Sequence, residues 1–76
     1  MSDIEKRMLA EFGSGNRLDC LAKLAGQLQQ TEDSNLQDHI LNVIAKVCSF
    51  DTDTMFKDYV QEIRKEVGGD DKVNEV

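Results

Sequence analysis

The sequence predicts an all-α protein: a small antiparallel four-helix bundle with a short first helix and a frayed C-terminal tail. Three observations carry that expectation. Apolar residues recur at helical spacing in four separate stretches. Each stretch opens with a residue suited to capping a helix and closes in a short polar or glycine-containing break. No proline interrupts any of the 76 residues, so no helix interior lacks a backbone donor.

The first helix is expected over residues 3–12. Ser2 and Glu5 have the S-x-x-E spacing of a capping box, in which each side chain satisfies a free backbone N–H. Ile4, Met8 and Phe12 fall on one face, with Leu9 beside them. Gly13-Ser14-Gly15 then ends the helix, glycine being at ease in the left-handed conformation that stops one. The second helix, 16–30, opens at Asn16. Its seam is Leu18, Leu21, Ala25 and Leu28, widened by Leu24. Gly26 lies about opposite that seam, where it either admits a neighbouring backbone or is simply tolerated at roughly 1 kcal/mol against alanine.

The third helix, 35–50, follows the break Thr31-Glu32-Asp33-Ser34 and opens with a second capping-box spacing, Ser34 and Gln37. Leu36, Ile40, Val43, Val47 and Phe50 step 4, 3, 4, 3. Ile44 lies within that seam, and Leu41 and Cys48 widen one edge. This is the broadest apolar face in the chain, so the third helix is expected to be the most buried. The fourth helix, 53–67, is capped from within Asp51-Thr52-Asp53 and aligns Phe56, Val60, Ile63 and Val67. Gly68-Gly69 closes it. Residues 1–69 thus form one domain, and residues 70–76 read as a flexible acidic tail. Breaks this short favour antiparallel neighbours.

Composition narrows the function. Fifteen acidic residues against nine Lys and Arg give a net charge of -6, which repels phosphate backbones and argues against direct nucleic-acid binding. Neither helix 2 nor helix 3 offers the basic face of a DNA-reading helix. The N-terminus, Met1-Ser2-Asp3-Ile4-Glu5-Lys6, enters charged helix directly rather than a signal-peptide pattern. No apolar run reaches membrane-spanning length. Two cysteines are fewer than a disulfide scaffold of this size carries. A cytoplasmic location with reduced thiols is the expectation.

Chemical motifs fail on inspection. Asp51-x-Asp53 with Glu62 twelve positions into the window resembles a calcium loop, but Met55 and Phe56 occupy the positions that need an oxygen ligand and a glycine. Asp51 and Asp53 read instead as helix caps. Cys20, His39 and Cys48 lack the short paired spacing of a metal site. Gly13-Ser14-Gly15-Asn16 lacks the lysine and preceding strand of a phosphate loop. No metal, cofactor or catalytic set is expected, and the chain does not read as an enzyme.

Two surface features remain. Asp58, Glu62 and Glu66 stand at i, i+4, i+8 on helix 4, with Met55 and Tyr59 beside its apolar seam. These five residues are the candidate contact surface for a protein partner, one with a basic patch that offsets the repulsion along the acidic row. Leu41 and Cys48 are the candidate self-association edge. The expected function is therefore that of a small acidic protein that regulates or inhibits a larger partner by binding it. A homodimer completed across helices 3 and 4, or a subunit of a complex, is the second expectation. An acidic mimic of DNA that blocks a nucleic-acid-binding protein is the third.

Overall fold

A computed structural model of the chain describes residues 1–13 and 16–75, with side chains described for 1–13 and 16–67. The helices are α1 (Asp3–Phe12), α2 (Arg17–Gln30), α3 (Ser34–Cys48) and α4 (Asp53–Glu75), and there is no strand among the described residues. They pack as a four-helix bundle in which α1 lies along α4, α2 lies along α3, and α1 also rests on α3.

Both pairs are antiparallel, as the polar contacts along them show. Going up α1, Lys6 meets Glu66 at 3.1 Å and the Ala10 carbonyl accepts from Arg64 Nε at 3.1 Å, so the partners step backward along α4. In the other pair, Leu18 and Leu21 share a groove with Val47 and Cys48 at one end. At the opposite end, Gln37 Nε2 donates to the Thr31 carbonyl at 2.6 Å. No helix among the described residues is long and apolar enough to cross a membrane.

The helix starts follow local chemistry. Ser2 and Glu5 form the expected capping box, with both reciprocal bonds present. Asn16 Oδ1 accepts from the Asp19 N–H at 2.8 Å. Thr52 Oγ1 accepts from the Met55 N–H at 3.2 Å, which selects Thr52 as the cap among the three candidates before α4. At α3 the cap is Asp33 rather than Ser34, with its carboxylate accepting from Asn35 N–H at 2.9 Å. A carboxylate answers the partial positive charge of a helix start better than a hydroxyl does, and Gln37 is drawn back to Thr31 instead of closing a box.

The far ends differ more from expectation. Helix α3 stops at Cys48, two residues short of Phe50, and the Ser49 cap closes its last turn, the hydroxyl donating to the Lys46 carbonyl at 2.6 Å. The α4 backbone runs through Gly68-Gly69 to Glu75. Glycine weakens a helix by about 1 kcal/mol yet keeps its N–H, so it does not force the stop that proline would. The expected tail, 70–76, falls on residues whose side chains are outside those described, and Val76 lies wholly outside them.

The buried core takes Leu9 from α1, Cys20 and Leu24 from α2, Ile40, Val43 and Val47 from α3, and Phe56, Val60 and Ile63 from α4. Helix α4 thus contributes as many core residues as α3, which the breadth of the α3 face did not suggest. In α1 the buried row is Glu5 and Leu9, while Ile4 is exposed. In α2 it is Cys20 and Leu24, which leaves the expected Leu18–Leu28 seam at the edge of the core. Truncating one such side chain costs about 2–5 kcal/mol, a large share of what a domain this small holds in reserve.

The two describable glycines have opposite roles. Gly13 is buried with φ at -82°, so the helix-ending left-handed conformation is not what it supplies. A β-carbon there would collide with the Leu9 carbonyl and lie 2.9 Å from both Val60 methyl groups. Gly13 is what lets α4 close onto the end of α1. Nothing lies within 4 Å of the β-carbon position at Gly26, so it admits no neighbour and is merely tolerated. Gly26→Ala should therefore stabilise the fold by about 1 kcal/mol, raising Tm by a few degrees. Gly13→Ala should destabilise it. Thermal melts of the two variants check both signs.

Candidate functional site

At the corner where α3 hands over to α4, the chain leaves the helix at Ser49 and re-enters at Asp53. Phe50 therefore points across the corner instead of along α3. Its ring meets those of Phe56 (6.0 Å between centroids) and Tyr59 (5.2 Å), both tilted. Lys46 Nζ stands over the Tyr59 ring at 4.9 Å and the Phe50 ring at 5.6 Å, holding the aromatic group from the α3 side.

The corner is pinned to the start of α2. Arg17 Nε donates to Asp53 Oδ1 at 2.8 Å, the Arg17 backbone N–H donates to the same oxygen at 3.2 Å, and Nη1 donates to the Phe50 carbonyl at 2.5 Å. These bonds hold the Asp53 carboxyl below the usual carboxylate range. They also satisfy the Phe50 carbonyl, which lies just past the end of α3.

This geometry makes a shallow groove lined by Phe50, Met55, Asp58, Tyr59, Gln61 and Glu62. Four of the five residues expected to contact a partner thus come together: Met55, Tyr59, Asp58 and Glu62. Met55 is 50% exposed and Tyr59 is half-buried. Phe50 is the member that sequence reasoning placed in the α3 seam. Only the early end of α3 at Ser49 turns it into the groove.

Glu66, the fifth, is not in this groove. It pairs with Lys6 across the α1–α4 contact at 3.1 Å, and that contact raises the Lys6 pKa. Glu62 has an exposed lysine, Lys65, at 3.9 Å. The acidic row is therefore not a uniform line of charge: Asp58 and Glu62 face the groove, and Glu66 is engaged in holding the fold.

Leu41 and Cys48 lie elsewhere. Both are exposed on α3, and Cys48 lines a second groove with Asn16, Arg17, Leu18, Leu21, Val47 and Asp53. The Cys48 end of the candidate self-association edge thus adjoins the start of α2 and the first residue of α4. Cys20 is in the core, where burial pushes its thiol pKa up. His39 is bound to Glu5, so Cys20, His39 and Cys48 do not converge. No group of three potential metal ligands occurs among the described residues.

One polar cluster, built around a buried Glu5, is not evident from the sequence. Glu5 is 6% exposed, yet it carries a carboxylate. Its Oε2 accepts from His39 Nδ1 at 2.7 Å and from Asn42 Nδ2 at 3.1 Å, and Oε1 accepts from the Ser2 backbone N–H at 3.2 Å. An ionised Glu5 requires the proton on Nδ1 of His39. The His39 bond holds the Glu5 carboxyl below the usual range against the opposing effect of burial, and Asn42 and Ser2 add to it. The capping-box spacing by itself accounts for Glu5 and leaves its burial unexpected. The available signal was its place one turn before Leu9 on the same face. Compared with known proteins, the chain matches no protein family, no curated protein and no solved structure.

A carboxylate whose folded pKa is depressed stabilises the fold above its unfolded pKa. That contribution drains away as pH falls through the unfolded value toward the folded one. Glu5→Gln should therefore flatten the loss of stability between about pH 5 and pH 3. Urea midpoints across that range measure it. A variant curve parallel to that of the parent protein would show that Glu5 contributes nothing to the acid limb.

Proposed function

We propose that this protein is a binding module that regulates or inhibits a larger partner by occupying a basic surface on it, through the groove at the α3–α4 corner. The observation that carries this reading is the gathering of Phe50, Met55 and Tyr59 with Asp58 and Glu62 in one groove. Methionine and aromatic side chains supply adaptable apolar contact. Carboxylates at the rim steer a basic partner in and set its register. The groove is fixed from below by the Arg17–Asp53–Phe50 bonds and by ring packing, so little order needs to be gained on binding. The same reading assigns the chain no catalytic step, no cofactor, no direct contact with nucleic acid and no membrane contact.

Asp58→Lys combined with Glu62→Lys should weaken the partner's binding by at least about tenfold, equivalent to about 1.4 kcal/mol, with helical circular dichroism unchanged. Met55→Ala should weaken it at constant charge. Binding of the parent protein should fall as salt rises. Quantitative capture from lysate by the parent protein and these variants, side by side, provides the measurement. A partner retained equally by all three rules out this groove as the contact surface.

A further inference from the structure

The α2–α3 pair presents a second surface of opposite character. The apolar seam of α2 reads Leu18, Leu21, Ala25 and Leu28, yet the bundle buries Cys20 and Leu24. The seam is thus turned partly outward: Leu18 is 76% exposed, and Ala22 and Ala25 are exposed beside it. On α3 the matching edge is Leu41, 49% exposed, with Ala45 and Cys48 also exposed. Leu18 and Cys48 share one groove. Ala25 and Leu41 lie seven residues on from Leu18 and back from Cys48, about two turns each, so antiparallel helices keep them abreast. The charged residues in the groove that Leu18 and Cys48 share, Arg17 and Asp53, are paired with each other at 2.8 Å, so this end of the stripe carries no net charge. Asp38, one turn beyond Leu41, marks its rim.

We infer that this stripe is the interface between two copies of the chain. Charge decides the occupant. Each copy carries -6, so two copies repel wherever carboxylates meet. A two-fold axis sets a patch against itself, which requires a self-complementary surface. The corner groove fails that condition, since Asp58 and Glu62 would face their own counterparts. The α2–α3 stripe, where Arg17 and Asp53 offset each other, satisfies it, and the small side chains of Ala22, Ala25 and Ala45 let helices approach closely. A neutral apolar strip on a strongly acidic chain suits a second copy better than it suits a basic partner, which the groove accommodates. Self-association through this face leaves the corner groove open, so the inference stands whether or not the groove binds a partner.

Analytical ultracentrifugation of the parent protein from low to high micromolar concentration, beside Leu18→Glu with Leu41→Glu and beside Met55→Glu, tests it. The parent protein and Met55→Glu should sediment at twice the 8.6 kDa chain mass. The double variant should sediment as a monomer with unchanged helical circular dichroism, because both positions are solvent-exposed within one copy. Should the double variant lose helicity, hydrogen exchange of the parent protein supplies the reading: protection of α2 and α3 that rises with concentration supports the interface. A parent protein monomeric at every concentration overturns it. So does a dimer abolished by Met55→Glu and kept by the double variant, which would place the contact in the corner groove.

Discussion

The bundle depends on one buried carboxylate. Its helices associate as two pairs, α1 with α4 and α2 with α3, and all four contribute to one core. The pairs meet where α1 crosses α3, and at that crossing Glu5 is bonded to His39 and Asn42. A charge removed from water is tolerated only when its hydrogen bonds are satisfied. That requirement is directional in a way that apolar packing is not. It fixes the angle and register at which α1 lies on α3, and α4 follows α1 through Lys6–Glu66, Arg64–Ala10 and the Gly13–Val60 approach.

At the other end of the molecule, Arg17 ties the start of α2 to Asp53 and to the Phe50 carbonyl. Between them, these two fastenings determine what remains outside. Because α1 covers the inner side of the α2–α3 pair, its outer side is left uncovered. Because α3 stops at Cys48, the Phe50 ring turns toward Tyr59 and opens a groove beside the acids of α4. An acid-rimmed apolar groove and a neutral apolar stripe are thus two consequences of one packing arrangement, and their charges suit them to different occupants.

The sequence made the four helices legible because helical spacing and capping chemistry are local. Ser2, Asn16 and the Thr31–Ser34 and Asp51–Thr54 breaks needed no tertiary information. Rotation of each helix about its axis was less legible. The α2 stripe of Leu18, Leu21, Ala25 and Leu28 is a sound amphipathic face, yet the core takes Cys20 and Leu24, about one residue round. Periodicity gives the existence of a face; neighbours decide which part of it is covered. The same limit hid Glu5, whose burial depends on His39 and Asn42 more than thirty positions away. Of the candidate surface, Met55, Asp58, Tyr59 and Glu62 were readable because all four lie on one helix. The diversion of Glu66 to Lys6, and the arrival of Phe50, each required a second element.

A double-mutant cycle between Glu5 and His39, using Glu5→Gln, His39→Leu and the double variant in urea unfolding, tests this dependence most directly. A charge-assisted bond joining the two helix pairs, buried on the Glu5 side and partly exposed on the His39 side, predicts a coupling energy of about 1–3 kcal/mol. Effects that add to within about 0.5 kcal/mol would mean that apolar packing alone sets α1 on α3, and would contradict the account.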